Sequence, residues 1–211
     1  MQALTSSSIH LDDGRIAHVY RVLNRNLRVI DGFEIGLLVS DLFEDALFDT
    51  NEKQAILLQM IFPDPSGFLS AFNGNQEEAL SDTLWQAFGI DVSGDKPHEK
   101  PIIEWEQDAE RIKATMLMAY GLDWEEARSR ISYRDMCSLL GQAPHETPMG
   151  QALYYRTAKQ PKATKHNREQ IADFNRAKKH YAIREKNIYA PSANDDACVM
   201  FEAIARIAER G

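Results

Sequence analysis

Residues that start and stop helices recur at short intervals along this chain, which restricts it to folds built from short helices. The clearest segment is 75–88, whose apolar stripe at helical spacing consists of Leu80, Leu84, Trp85 and Phe88. Gly89 follows directly, as expected of a residue that ends a helix. We therefore predict an amphipathic helix over 75–88 that buries its apolar stripe in a core.

Similar combinations of capping residues, apolar spacing and helix-ending Gly or Pro predict helices in most of the remaining chain. Thr147-Pro148, for example, supplies a cap and a proline suited to the first helical position. The other predicted helices span 27–38, 50–60, 65–72, 104–120, 124–130, 133–140, 149–158, 164–183 and 195–209.

The N-terminus carries the clearest β signal. Two short apolar segments, 9–11 and 16–22, flank Asp12-Asp13-Gly14, and Asp-Gly is a strong hairpin turn. A lone hairpin is marginal in water, so we expect it to pack on another element or chain. The predicted fold class is therefore mainly α: a helical domain with a small N-terminal β-hairpin and an extra C-terminal helix.

The same patterns predict three regions. These are a β-hairpin arm over 1–23, a helical domain over 24–186 and a C-terminal helical extension over 187–211. The stretch near 91–102 contains two prolines, a glycine and several charged residues, which indicates a mobile linker inside the helical domain.

Basic residues are concentrated in one late segment of an otherwise acidic chain. Residues 156–186 contain ten Lys or Arg against three Asp or Glu, a local net charge of +7. The whole chain has a net charge of −8, so the remaining residues carry −15. Such a division of charge governs steering and association rather than the fold. It makes two oppositely charged surfaces available for contact between proteins.

The predicted helix 164–183 separates its apolar residues from its basic ones. Positions at 100° intervals place Phe174 and Tyr181 in an apolar sector around Ile171, and the basic residues in a different sector. A solvated helix face and a protein-interaction face both account for this pattern, and we keep both alternatives. The residues of the hypothetical interaction face are Lys165, Arg168, Arg176 and Lys179.

The predicted last helix, 195–209, has an apolar stripe of its own. The stripe either packs on the chain's own core, which we favour, or docks on a partner. The residues of this second hypothetical interaction face are Val199, Met200, Ile204 and Ile207.

The sequence contains no motif that would assign an enzymatic activity. It lacks a glycine-rich phosphate loop, a His-Glu-x-x-His pair, a Cys-x-x-Cys pair and a Gly-x-Ser-x-Gly turn. The six histidines are scattered, so we predict no metal site, no cofactor and no catalytic residue. Carboxylates such as Glu104 and Asp108 stand at a predicted helix start, where we interpret them as solvated groups that compensate the helix dipole.

The sequence also bears on location. No run of apolar residues approaches the about 20 that a membrane helix needs, so we predict no membrane partner. The first residues lack the positive and apolar regions of a secretion signal. We therefore expect a cytoplasmic protein.

Several weak motifs, taken in order, resemble one protein family over about residues 22–183. They are LNRNLR at 23–28, FED at 43–45, IEWEQDAERI at 103–112, YGLD at 120–123, YYRT at 154–157 and FNRAKKHYAI at 174–183. Together they are similar to the phage-tail family called gene product fifteen, found in siphophages and prophages of Gram-positive bacteria. Two departures are Asn26-Leu27-Arg28, where the family has Asp-Phe-Arg, and the extension over 187–211.

The resemblance implies a non-enzymatic tail assembly chaperone, encoded beside the tape-measure protein. Its partner would be that long helical protein, which it would keep soluble until the tail tube polymerises. The divided charge adds the expectation of a homo-oligomer, or of co-assembly with a second tail chaperone. The resemblance further implies action in the cytoplasm of the bacterial host and absence from the mature virion. No site residues are carried over from the family.

The alternative function is a nucleic-acid-binding phage regulator or packaging factor that uses the basic residues of 156–186. The isoelectric point of about 5.3 is far below the value above about 9 expected of a dedicated nucleic-acid-binding domain. Phe174 and Tyr181 lie on the predicted buried sector, where bases could not stack on them. Nucleic acid is therefore the less favoured partner, and an enzyme with an unrecognised site is the least favoured alternative.

Overall fold

The predicted fold class, mainly α with a small β-hairpin, is confirmed. The computed structural model describes residues 9–11, 14–92, 101–164 and 166–184. Three strands in these ranges form one antiparallel sheet in the order β1 (Ile9–His10), β2 (Ile16–Val22), β3 (Arg25–Ile30). The helices are α1 (Phe33–Glu44), α2 (Thr50–Ile61), α3 (Pro65–Ala71), α4 (Gln76–Phe88), α5 (Trp105–Tyr120), α6 (Trp124–Arg130), α7 (Tyr133–Gly141), α8 (Pro148–Thr157) and α9 (Arg168–Tyr181).

The predicted helix start at Leu27 is wrong, because Leu27 lies in β3 and α1 begins at Phe33. β3 pairs with β2 along its whole length, with Ile30 opposite Ala17. Leu23 and Asn24 join the two strands, and both have positive φ, 44° and 66°. Two such residues make the tight turn that suits the twist of a hairpin. Leucine is rare in that conformation, which is why the sequence does not reveal this second hairpin.

Most other predicted helices agree with the observed ones at both ends, but Trp85, predicted on the buried stripe of α4, is 41% exposed. The last described helix differs, since the sequence predicts it from Thr164 and it begins at Arg168. Before it, the Thr164 amide donates to Oδ1 of Asn167 at 2.7 Å, and the Asn167 side-chain amide donates to the Lys162 carbonyl at 2.9 Å. These bonds hold the backbone around Asn167 in a loop, so the helix starts after it. The predicted helix 195–209, the extension 187–211 and most of the linker near 91–102 lie outside the described residues.

The described chain forms two compact units. The first contains 9–92 and 128–136, and the second contains 101–127 and 137–184. The chain therefore passes from one unit to the other again within α6 and within α7.

The core of the first unit joins the sheet to the first four helices. Phe62 stacks on Phe68 with ring centroids 4.2 Å apart. Lys53 of α2 is buried, and its Nζ donates to the Phe43 carbonyl at the end of α1 at 3.2 Å. The side-chain amide of Gln86 donates to the Arg21 carbonyl at 3.2 Å, which ties α4 to β2. The packing partner that the hairpin was expected to need is therefore α4.

A later segment completes the first unit. The Tyr133 amide donates to the Asp31 carbonyl at 2.9 Å, and the Phe33 amide donates to the Ile131 carbonyl at 3.0 Å. Gly36 of α1 lets the Tyr133 side chain lie directly on the helix backbone. A Cβ atom at position 36 would lie 2.1 Å from Cγ of Tyr133. Residues 128–136 are therefore a structural part of the first unit.

We expect Gly36→Ala to destabilise the first unit by about 1–3 kcal/mol, because the added methyl group overlaps the root of the Tyr133 side chain. The loss should occur although alanine favours helix by about 1 kcal/mol over glycine. Urea denaturation followed by circular dichroism measures the change. Gly141→Ala is the matched control, since a Cβ there meets nothing within 4 Å. Equal stability of the two variants would contradict this account of the packing.

Candidate protein-interaction site

The site is centred on α9, which is held in the second unit by aromatic side chains. The rings of Tyr155 in α8 and Tyr181 in α9 stack in parallel, 5.4 Å apart. Tyr155 also contacts the buried Phe174, with centroids 5.7 Å apart. The Tyr181 hydroxyl donates to the side-chain oxygen of Gln151 at 2.9 Å. The apolar sector predicted for this helix therefore faces α8.

A buried ion pair lies beneath the end of α9. Arg156 and Asp108 form a bidentate pair, with Nη1 donating to Oδ2 at 2.6 Å and Nη2 to Oδ1 at 2.9 Å. Their side chains are 6% and 0% exposed. Nε of Arg156 donates to the Tyr181 carbonyl at 2.7 Å. One arginine thus connects α5, α8 and the last residue of α9.

Asp108 has further donors that satisfy its buried carboxylate. Nη1 of Arg111 donates to Oδ1 at 2.8 Å, and the Glu104 amide donates to Oδ2 at 3.0 Å. Burial alone would raise the pKa of Asp108, but the hydrogen bonds from Arg156, the Glu104 amide and Arg111 outweigh burial and hold the pKa below its ordinary value of 3.8. Asp108 is therefore charged at neutral pH.

The interpretation of Asp108 as a solvated helix-start carboxylate is wrong, because its side chain is buried. The sequence carried a signal for this. Asp108 precedes Ile112, Thr115 and Met116 by four, seven and eight residues, which puts it on the buried face of α5. An acidic residue on an apolar stripe needs a buried partner. Arg156 could not be chosen from sequence, because it is one of ten basic residues in its segment.

Three of the four residues predicted for the basic face are described, and all three are exposed on one side of α9. They are Arg168, Arg176 and Lys179. Arg176 makes an exposed contact with Asp173 at 3.3 Å. Lys178 points differently, since its Nζ donates to the Ala158 carbonyl at 2.8 Å. The structure thus separates a basic face on α9 from a lysine that anchors the helix.

The other predicted interaction residues lie outside the described residues. They are Lys165, Val199, Met200, Ile204 and Ile207.

The first unit contains a buried polar cluster that sequence reasoning missed. Nδ1 of His18 donates to the fully buried carboxylate of Asp31 at 2.7 Å, and the Tyr20 hydroxyl donates to the same carboxylate. His18 and Tyr20 are two residues apart on β2 and so share a face of the sheet. Polar side chains alternating on a buried strand were the available signal. Asp31 is fully buried and directly follows β3, so the two hydrogen bonds fix the position of the end of this strand.

Asp31 shifts the titration of both its partners. The hydrogen bond to Asp31 raises the pKa of His18 above 6.5, against the lowering effect of burial, and the negative charges of Asp31 and Asp135 add to the rise. Burial raises the pKa of Tyr20, and the Asp31 carboxylate raises it further. The Tyr20 hydroxyl is therefore a donor at any physiological pH.

The described residues hold no group of three or more His, Cys, Asp or Glu side chains that could bind a metal ion. No helix in these parts of the chain combines the length and the apolar character required to cross a membrane.

Comparison with known protein families matches residues 24–183 to the family described as bacteriophage Gp15 protein. The chain belongs to this family. The matched region of this Gp15-family protein includes Asp108, Arg156 and α9, so its ion pair and basic face both lie within the family region. No curated protein and no solved structure matches the chain. The match agrees with the resemblance drawn from the sequence and identifies a phage protein family.

Asp108→Asn should lower the free energy of unfolding of this Gp15-family protein by about 3–5 kcal/mol, because it leaves the buried Arg156 without a counter-charge. Chemical denaturation at pH 7 measures the loss. Asp173→Asn removes the same charge from an exposed pair and should change stability by less than about 0.5 kcal/mol. Similar effects of the two substitutions would show that the buried pair does not hold the unit together.

The His18–Asp31 contact should make stability depend on pH above 6.5, the ordinary pKa of the imidazole. Because the pKa of His18 is higher in the folded protein, its contribution is fully present below pH 6.5 and is lost as the pH rises through the raised value. Urea denaturation from about pH 5.5 to about pH 9 should show this decline, and His18→Gln should flatten it. His166→Gln, at an exposed position, is the control. An unchanged slope in His18→Gln would refute the assignment.

Proposed function

We propose that this protein is a non-enzymatic phage tail assembly chaperone that binds the tape-measure protein and keeps it soluble during tail tube assembly. Membership of the bacteriophage Gp15 family supports the phage context. The observation that carries the proposal is the basic face of α9, in which Arg168, Arg176 and Lys179 are exposed on a helix whose other side is anchored by aromatic rings and Arg156. Such a face suits contact with an acidic protein surface.

Apolar side chains accessible on the same molecule support binding to an aggregation-prone client. Leu117 and Met118 are adjacent near the end of α5 and are 59% and 63% exposed. Single exposed apolar residues are ordinary, whereas neighbouring ones on a helix offer a small docking surface. A long helical client that has not yet been enclosed by the tail tube presents apolar stripes of its own, so such surfaces would shield it.

Copies of the chaperone are proposed to associate through opposite charges. The basic segment has a net charge of +7, and the rest of the chain carries −15. A contact between two different surfaces of one chain is head-to-tail and builds rings or spirals. A spiral would coat a long client along its length. Co-assembly with a second tail chaperone would use the same basic face.

Nucleic acid is not favoured as the ligand of α9. Phe174 is buried and Tyr181 is stacked on Tyr155, so these rings do not offer a platform for bases. Filter-binding titrations with duplex DNA separate the chaperone function from nucleic-acid binding. A nucleic-acid-binding protein would bind DNA at low salt, and its affinity would fall steeply as the salt concentration rises, because binding releases counterions.

Co-expression with the tape-measure protein of the same phage tests the proposal. We expect the chaperone to move the tape-measure protein from the insoluble to the soluble fraction and to purify with it. Arg176→Glu combined with Lys179→Glu should reduce the soluble fraction severalfold, because it reverses two charges of the basic face. Arg21→Glu combined with Arg28→Glu makes the same change of charge at exposed sheet positions and should have little effect. A tape-measure protein that stays insoluble beside the wild-type chain would overturn the proposed function.

A further inference from the structure

Two adjacent apolar side chains project from the corner between α1 and α2. Leu47 is 89% exposed and Phe48 is 42% exposed, and Leu38 on the solvent side of α1 is 52% exposed. Burial in a core stabilises side chains of this kind, so their exposure calls for an explanation when they are adjacent.

The corner is held in one conformation by local hydrogen bonds. The Leu47 amide donates to Oδ1 of Asp45 at 2.6 Å. Asp49 caps α2 and forms a capping box with Glu52, whose side chain accepts from the Asp49 amide at 2.9 Å. The loop therefore presents its apolar pair with little ordering left to occur on binding, which favours association.

Carboxylates precede and follow the apolar pair in the sequence. Asp41, Glu44 and Asp49 are exposed, Asp45 is half-buried, and the twelve residues 41–52 contain five acidic residues and no basic one. The wider region has the same character, since residues 29–92 contain twelve Asp or Glu and one basic residue, the buried Lys53. We define the acidic corner as Leu47 and Phe48 with Asp41, Glu44, Asp45 and Asp49.

The basic face of α9 has the opposite arrangement. Ala172 is exposed at the centre of the basic face. Arg168 lies four residues before Ala172, and Arg176 and Lys179 lie four and seven residues after it. Residues at these spacings are neighbours on one helix face. The aliphatic stems of long cationic side chains can cover apolar surface, so the three cations and the Ala172 methyl group combine apolar area with positive charge, next to the exposed Glu169 and Asp173.

We infer that the acidic corner of one copy docks on the basic face of α9 in a second copy. This inference rests on the self-association included in the proposed function and names the surface that receives the basic face. Leu47 and Phe48 would cover Ala172 and the cation stems, while the carboxylates pair with Arg168, Arg176 and Lys179. The exposed contact of Arg176 with Asp173 is worth little, so exchanging that partner costs little.

The contact joins two different surfaces, so a dimer still has one unused basic face on one copy and one unused acidic corner on the other. Assembly therefore continues from both ends unless the geometry closes a ring. Because exposed charges contribute, the association should weaken as salt rises toward about 1 M, where screening is nearly complete.

Two complementary variants test this inference in the full chain. The corner-reversed variant combines Asp41→Lys with Glu44→Lys, and the second of these places a cation at the end of α1, where the helix dipole favours it. The helix-reversed variant combines Arg176→Glu with Lys179→Glu. Sedimentation velocity at low salt should show that each variant has lost self-association, with the dissociation constant raised by about tenfold or more.

Mixing the two variants is the decisive measurement. The corner-reversed chain retains a native basic face and the helix-reversed chain retains a native acidic corner, so the mixture should regain the association that each variant alone has lost. Leu47→Ser should weaken wild-type association severalfold without loss of stability, because the side chain is already exposed. Glu77→Lys with Glu78→Lys, at exposed positions of α4, is the control for net charge and should associate as the wild type does.

Three outcomes would overturn the inference. The first is that the corner-reversed variant self-associates as well as the wild type does. The second is that the mixture of the two variants does not associate. The third is that the wild-type chain stays monomeric at low salt and high concentration. If the corner-reversed variant self-associates normally but fails to solubilise the tape-measure protein, the acidic corner binds the tape-measure protein and not a second copy. None of the three changes the co-expression result for the wild-type chain, so failure of this inference and failure of the proposed function are distinguishable.

Discussion

The buried pair of Asp108 and Arg156 is the interaction on which the second unit depends. It joins α5 to α8, and through the Tyr181 carbonyl it also fixes the end of α9. Two opposite charges removed from water are stable only when their remaining hydrogen-bonding capacity is met, and Arg111 and the Glu104 amide meet it here. The ion pair therefore fixes the end of α9, the helix that carries the basic face.

Much of the fold could be predicted from local signals. The helix 75–88 ends at Gly89 in the left-handed conformation, and Thr147-Pro148 begins α8 as a cap followed by a proline. These elements follow from interactions within a few residues, so a single sequence contains the necessary information. The family was also recognisable, since several weak motifs kept their order over the region that matches the family.

The features that were not predicted from the sequence all depend on partners elsewhere in the chain. β3 forms because it pairs with β2 through a turn that includes Leu23, a residue with no turn preference. Asp108 is buried because Arg156 lies 48 residues away in the chain and next to it in space. Asp31 likewise receives His18 and Tyr20 from another strand. The basic face itself was predictable in part, because helical periodicity alone separates Arg168, Arg176 and Lys179 from Phe174.

The division of the first unit along the chain has a consequence for its biosynthesis. The Phe33 amide donates to the Ile131 carbonyl, the Tyr133 amide donates to the Asp31 carbonyl, and the Tyr133 side chain packs on Gly36. These contacts cannot form until Tyr133 has left the ribosome, although the sheet and the first four helices emerge long before. The nascent first unit therefore stays incompletely packed while residues 101–127 of the second unit are translated. The rate of translation through residues 93–133 thus sets how long the surface that Tyr133 covers stays open.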